Sequence, residues 1–403
     1  MSLFRSLKHR SFALLWGGQA LSRLGDSLYR IALAWWVLEK TGSATAMGTV
    51  LIFSYAPMVL FLLVGGVAVD RFHRLKLMLA SDIVRGTIVL VIAILAATGR
   101  LEVWHVYVAS ALFGAVNAFF QPAYTVIIPE IVPVDALTSA NSLTVLSKQL
   151  ADIVGPAVGA AAIALGSPSF AFALNGVSFF VSAACLAPLM NRHALRGVKK
   201  ESPGAIRDLR EGISAILGST WLWFTISVAA LGNATLNGPV SVAMPFLIKE
   251  ELHAGVGALG LVYSMIALGA VLATIWLGRS TRVRRRGLTT YGAWVICGLS
   301  VLACGLPISL VGIWLAALVC GASITACSLI WTNTLQELVP REVLGRVSSI
   351  DLLGSYCLMP VGYGVTGWAT DQIGASMVFV IGGAVTVGLA ALGLSQREIR
   401  QLD

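Results

Sequence analysis

The stretch LSRLGDSLYR, Leu21 to Arg30, lies inside an apolar run that begins near Phe12 and ends near Leu38. At about 1.5 Å of rise per residue, a helix of that length crosses a bilayer core. Arg23, Asp26 and Arg30 are spaced i, i+3 and i+7, so they share one helical face with Gln19, and Asp26 can pair with either arginine. A charge at the bilayer centre costs at least about 2.5 kcal/mol, so this face has to look into protein or water and not into lipid. Two readings are open: a structural ion pair that locks the first helix to a neighbour, or the lining of a hydrophilic pathway in which Asp26 changes protonation state.

The rest of the chain agrees with a membrane setting. Of its 403 residues, 57% are hydrophobic and only 12% charged, and the mean hydropathy is +0.84, which excludes a soluble globular domain. Apolar runs at about 12–38, 46–69, 77–98, 104–128, 142–165, 168–190, 219–247, 255–277, 287–305, 308–335, 344–370 and 374–394 predict an all-α membrane protein of twelve transmembrane helices. The net charge of +9 does not mark a nucleic-acid partner, because its sources are segregated. Of the 28 Lys and Arg residues, 21 fall at the N-terminus, in the even-numbered connections and at the C-terminus, against Lys40, Arg100 and Lys249 on the opposite side. The positive-inside rule then puts both termini in the cytoplasm. Trp104, Trp221, Trp223 and Trp276 sit near span ends, as interfacial anchors do. The opening MSLFRSLKHR imitates a secretory signal, but the apolar run behind it is too long and is interrupted by the charged face.

The chain also repeats itself. A shift of 207 residues brings Leu24-Gly25-Asp26 onto Leu231-Gly232-Asn233, Gly114-Ala115 onto Gly321-Ala322, and Glu130-Ile131-Val132-Pro133 onto Glu337-Leu338-Val339-Pro340. One offset that holds in the first, fourth and following segments of each half predicts two pseudo-symmetric six-helix bundles in the same orientation, the parallel-repeat plan of one large transporter class. The expected organisation is a bundle over 1–190, a charged, amphipathic cytoplasmic linker over 191–218, and a second bundle over 219–403.

Two short motifs carry the chemistry of that plan. After the second span comes GGVAVDRFHR, Gly65 to Arg74, and the fifth span holds Gly155-Pro156-Ala157-Val158-Gly159. Over nearly its whole length the chain resembles the major facilitator superfamily, whose Gly-x-x-x-Asp-Arg-x-Gly-Arg loop signature it matches at Gly66, Asp70, Arg71 and Arg74, with His73 in place of the usual glycine. The loop reads either as a cytoplasmic gate built from these residues, with Arg346 as the candidate partner of Asp70 across the halves, or as charges that only set topology; Asp82 and Arg85, near the cytoplasmic end of the third span, read as part of that gate, and Asp351, which starts near the same side, as gate or substrate residue. Gly155, Pro156 and Gly159 resemble the antiporter motif of the superfamily's drug exporters, although Ala151 and Ala160 stand where glycines are usual. Proline removes an intrahelical hydrogen bond and glycine permits close helix approach, so the segment can bend and seal one side. Ser22-x-x-Gly25-Asp26, Thr41-Gly42-Ser43, Asp82-x-x-Arg85 and Gln121-Pro122-Ala123 resemble the bacterial branch of macrolide-efflux and siderophore-export proteins. The arginine that many proton-coupled members carry early in the fourth span is absent from HVYVASALFGAVNA, so that motif implies no proton coupling here.

Among the remaining intramembrane charges, Lys148 and Asp152 are i,i+4 on the fifth span, either a neutralised bridge or, once opened, a second proton or cation site. Proton coupling is therefore expected at Asp26 and Asp152. The substrate cavity is expected to draw on Gln19, Arg23, Arg30, Asn117, Gln121, Asn175, Asn233, Asn237 and Asn333. The six cysteines all fall within spans and read as small hydrophobes. No GxxxxGK[ST] loop and no Cys/His cluster with metal spacing is present, so neither an enzyme nor a cofactor or metal is expected. The reading is a monomeric secondary active transporter of a bacterial cytoplasmic (inner) membrane. It exports amphiphilic small molecules, drugs or secreted metabolites, by alternating access with protons or another coupling ion. The alternatives are an importer of a polar nutrient and a non-transporting receptor on a transporter fold.

Overall fold

A computed structural model of the chain describes residues 4–190, 205–279 and 285–402; the side chains of residues 63, 64, 66, 67, 69–71, 205–209, 341 and 342 lie outside the description. Every regular element among the described residues is helical. In chain order these are α1 (Arg10–Thr41), α2 (Ala44–Arg71), α3 (Arg74–Ala97), α4 (Val103–Ile131), α5 (Leu137–Leu165), α6 (Pro168–Leu186), α7 (Ala205–Leu217), α8 (Thr220–Gly238) and a short α9 (Met244–Phe246). There follow α10 (Val256–Gly278), α11 (Arg286–Cys304), α12 (Leu310–Leu338), α13 (Arg341–Cys357), α14 (Met359–Ile373), α15 (Ala375–Ser395) and α16 (Arg397–Arg400).

Among the described residues nine helices are long and apolar enough to cross a membrane, or up to ten if the pair Arg210–Leu217 and Thr220–Glu251, bent by 102°, counts as one span. The 32 residues of α1 are not in that set, because the face bearing Gln19, Arg23, Asp26 and Arg30 dilutes its apolar sequence. The expectation of one unbroken helix over 344–370 needs correction: the chain breaks between α13 and α14, where Pro360 lies at the N-terminus of α14. Proline acts similarly after α8. Pro239 opens a π-helical turn (Pro239–Ala243), Pro245 sits in α9, and a second π turn covers Leu247–Glu251.

The chain forms two compact units, Met1–Gly42 with Thr49–Lys200 and Ser43–Gly48 with Glu201–Asp403. In the first unit α6 packs against α1 and α3, α5 against α1, and α3 against α4. Phe12, Leu75, Met78, Tyr124, Ile127 and Leu143 fill one core there. In the second, α10 packs on α12, α11 on α12 and α15, and α8 on α13, α14 and α15. The second half of the expected linker is α7, which packs on α13, with Arg346 Nη1 donating to Glu211 Oε2 at 2.6 Å. Many large apolar side chains point outward, Leu60, Ile94 and Trp276 each more than 60% exposed, as a lipid-facing surface requires.

Both units use the same packing device. A Cβ on Gly114 of α4 would lie 2.0 Å from the carbonyl oxygen of Ser54, and one on Gly321 of α12 would lie 1.9 Å from that of Ile266. These are the two glycines that the 207-residue offset superposes, and each lets its helix touch a neighbour's backbone. The repeated glutamates behave alike too: Arg74, at the start of α3, pairs with Glu130, and Arg286, at the start of α11, pairs with Glu337.

Candidate functional site

The helical face that opens the sequence leads to a buried polar cluster in the first unit. Asp82 and Arg85, one turn apart on α3, are 0% and 3% exposed, and Arg85 Nη2 donates to Asp82 Oδ1 at 2.5 Å. The other oxygen of Asp82 accepts from Ser182 Oγ at 2.7 Å and from Gln19 Nε2 at 3.3 Å, and that amide also donates to Ser182 Oγ at 2.7 Å. The guanidinium of Arg85 lies over the ring of Phe120 at 4.0 Å and over that of Phe179 at 4.6 Å, so its cation is held by a carboxylate and two π faces. Asp82 and Arg85, expected in the gate network at the cytoplasmic end of the third span, have all these partners in the interior of this unit, where the carboxylate neutralises the cation and the rings of α4 and α6 cover it.

Asp26 belongs to the same cluster. It lies within the electrostatic reach of Arg85, Arg30 and Asp82, and its polar side-chain partner is the fully buried Asn175. Among the described residues no cation forms an ion pair with it. Four charged groups therefore meet here: Arg85 is satisfied by Asp82, Arg30 lies 3.8 Å from Asp152, and Asp26 is left without an ion pair among the described residues. Arg23, placed beside Asp26 by spacing alone, instead lays its guanidinium 5.1 Å from the ring centre of Tyr124 on α4.

The Gly-Pro-x-x-Gly segment sets the distance between α5 and α1. A Cβ on Gly155 would lie 2.3 Å from Ser27 Cβ, and one on Gly159 would lie 3.1 Å from Leu28 Cα, so the two helices touch at the residues directly after Asp26. Asp152, one turn before Gly155 and Pro156, is brought to Ser27 Oγ at 3.4 Å and to Arg30 at 3.8 Å. The ion pair expected between Lys148 and Asp152 is thus corrected: Lys148 is exposed, and the described cation within 4 Å of Asp152 is Arg30.

Of the loop signature, the side chains of Gly66, Asp70 and Arg71 lie outside the described residues. Arg74 is buried against Glu130, and Arg346 pairs with Glu211. In the sequence Glu130 stands out only through the Glu-x-Val-Pro repeat, where it recurs as Glu337.

Asp351 stands apart from these charges. It lines a partly open cavity of about 270 Å³ between α8, α11, α12 and α13, together with Asn233, Tyr291, Trp294, Trp331 and Tyr356. Trp331 Nε1 donates to both carboxylate oxygens of Asp351 at 3.2 Å. Of the other expected cavity amides, Asn233 donates to the carbonyl of Ser355, Asn237 to that of Asn233, and Asn117 to Met58 Sδ, while Gln121 and Asn333 are exposed. Cys297, Cys304, Cys320 and Cys327 are buried free thiols, Cys185 is half-buried and Cys357 exposed; no group of three metal-ligating side chains occurs among the described residues.

Residues 15–359 match the Major Facilitator Superfamily. The chain is 25% identical over 394 residues to macrolide efflux protein A of Streptococcus pyogenes, covering 97% of each chain. It is 24% identical over 406 residues to the enterobactin exporter EntS of Shigella boydii, covering 98% of this chain and 94% of that one. Among solved structures, a bacterial homologue of the iron transporter ferroportin in an inward-facing state shares the fold with a TM-score of 0.75 at 14% identity, covering 96% of this chain and 99% of that one. The nucleoside transporter NupG does so with a TM-score of 0.73 at 12% identity, covering 96% of this chain and 98% of that one. By the extent of the family match and the full-length efflux relatives, the chain belongs to the Major Facilitator Superfamily and is a multi-pass membrane transporter, not an enzyme.

Proposed function

We propose that this transporter exports amphiphilic small molecules across a bacterial cytoplasmic membrane by alternating access, in exchange for protons or another coupling cation. Its termini are cytoplasmic, it works as a monomer, and it requires neither a cofactor nor a nucleic-acid partner. The observation that carries the coupling part is the charge inventory of the first unit: Arg85 is matched by Asp82, Arg30 lies 3.8 Å from Asp152, and Asp26 is left without an ion pair among the described residues. Such a carboxylate is a receptor for a proton or a small cation, since a buried charge with no counter-ion is costly. The export direction is supported by the curated relatives, which are efflux and exporter proteins over nearly their full length.

In this reading Asp26 takes up the coupling ion while the Asp82–Arg85 pair holds the local field constant, and Asp152 with Arg30 forms a second, more exposed acid–base pair on the α1–α5 seam. Gln19 and Asn175 steady the cluster from either side, and Asn233, its counterpart in the repeat, supplies a non-titrating position in the second unit. Asp70, Arg71, Arg74 and Arg346 serve the cytoplasmic gate. Drug-accumulation assays in a pump-deficient host test the proposal. Asp26→Asn is expected to preserve expression while abolishing extrusion against a gradient and leaving downhill exchange of a neutral substrate intact. Extrusion at the wild-type rate by Asp26→Asn, with loss in Asp152→Asn, would move the coupling to α5.

A further inference from the structure

We propose that the cavity of the second unit is a recognition site for an organic cation, whose charged nitrogen faces the Asp351 carboxylate and rests against the aromatic wall of Trp331 and Tyr356. This deepens the efflux reading and rests on it for the claim that the bound molecule is cargo; the site itself stands on the geometry of one unit.

Three observations carry it. First, none of the residues that line the cavity is Lys, Arg or His, so the one formal charge it presents is the negative charge of Asp351. A partly open, mostly apolar pocket with a single carboxylate attracts cations and repels anions, because its low-dielectric walls screen the charge less than bulk water does. Second, that carboxylate has no ion-pair partner among the described residues, and its hydrogen bonds come from one indole N–H that reaches both oxygens at the same 3.2 Å. A carboxylate accepts several donors, so most of its capacity faces the cavity unused. The indole fixes its orientation and is itself braced edge-on against Trp221, with ring centres 5.8 Å apart. Third, the walls are aromatic: Tyr291, Trp294, Trp331 and Tyr356 present rings, and Ser328 and Thr332 add hydroxyls. Ring faces stabilise a desolvated cation, particularly an alkylated ammonium that carries its own apolar surface. The 270 Å³ cavity is far larger than one water or a bare inorganic ion needs, and it has room for an ammonium head with an apolar group attached.

A purely structural Trp331–Asp351 brace between α12 and α13 would require none of this charge selectivity, and that separates the two accounts. The probes are benzyltrimethylammonium, its neutral isostere neopentylbenzene, and benzenesulfonate. They are titrated onto the purified full-length protein in detergent without any gradient, with intrinsic tryptophan fluorescence as the readout. The wild type is expected to bind the ammonium at least about tenfold more tightly than the isostere, and the sulfonate not to compete. Asp351→Asn is expected to erase the preference while keeping the affinity for the isostere, Asp351→Glu to restore part of it, and Trp331→Phe to weaken it less than Asp351→Asn. Equal affinity of the wild type for ammonium and isostere, competition by the sulfonate, or an unchanged preference in Asp351→Asn overturns the site. The wild-type comparison decides the matter even where a variant fails to fold. Cation binding through Asp351 in a protein that extrudes nothing from cells would refute the efflux reading and leave the site in place.

Discussion

Replacing Gly155 by Ala forces a methyl group into the seam between α5 and α1. The new Cβ would lie 2.3 Å from Ser27 Cβ, and carbon atoms in contact settle at about 3.5–4.0 Å, so the helices have to part by more than about 1 Å. Ser27 Cβ is fixed to its backbone and cannot swing aside, and overpacking of this kind costs about 1–3 kcal/mol. Against it stands the gain of Ala over Gly in a helix, about 0.8–1.0 kcal/mol. At Gly155 the clash wins. At Gly159 the nearest atom, Leu28 Cα, is 3.1 Å away, a strain of a few tenths of an ångström, and there the propensity gain roughly cancels it. Thermal unfolding followed by tryptophan fluorescence is expected to rank Gly155→Ala well below the wild type and Gly159→Ala near it. The clash partner can also be removed: Ser27→Gly deletes the obstructing carbon at the cost of a 3.4 Å hydrogen bond to Asp152, which is weak at that length. The double variant Ser27→Gly/Gly155→Ala is then expected to recover most of the loss, with a coupling of about 0.5–3 kcal/mol. A neutral Gly155→Ala, or additive effects in the double variant, would refute the idea that these glycines serve α1–α5 contact.

The repeated glutamates give a comparison between the units. Side-chain exposure is 22% at Glu130 and 60% at Glu337, while their arginines are 7% and 9% exposed. Glu130→Gln is therefore expected to destabilise by about 1–3 kcal/mol and Glu337→Gln by less than about 1 kcal/mol, and the reverse order in unfolding experiments would contradict the pairing. Asp371, exposed and beyond the span expected to end at residue 370, caps the first turn of α2 by accepting from the amides of Ala44 at 2.7 Å and Thr45 at 3.0 Å and from Ser43 Oγ at 2.8 Å. Burial alone would raise its carboxyl, but these donors outweigh it and hold the group below the usual carboxylate range. The cap is thus fully present above about pH 4 and is lost only as pH falls through the depressed value. Hydrogen exchange in the first turn of α2 is expected to rise in acid and, at neutral pH, in Asp371→Ala; protection that is the same in Asp371→Ala and the wild type would remove the cap.

Fold class was legible in the sequence, since hydropathy and the spacing of charges act through the bilayer and do not depend on which helix packs on which. The segregation of Lys and Arg, the 207-residue offset and the charged face of α1 are all one-dimensional signals. The glycines of that offset, Gly114 and Gly321, mark close backbone approaches, because only residues without a side chain permit them. Which charge meets which was not legible. Helical spacing put Arg23 and Lys148 beside the aspartates on their own helices, whereas the tertiary structure gives Asp152 to Arg30 and Arg23 to the ring of Tyr124; Asp82-x-x-Arg85 does keep the partner that its own helix offers. Pairing within a helix yields only a few tenths of a kcal/mol, while a buried charge left unmatched costs several, so packing between helices decides the partners. For the same reason only the structure separates Asp351 from the other acids: its cavity lies between four helices far apart in sequence, and no local pattern announces that a tryptophan N–H and a ring of aromatics meet around it.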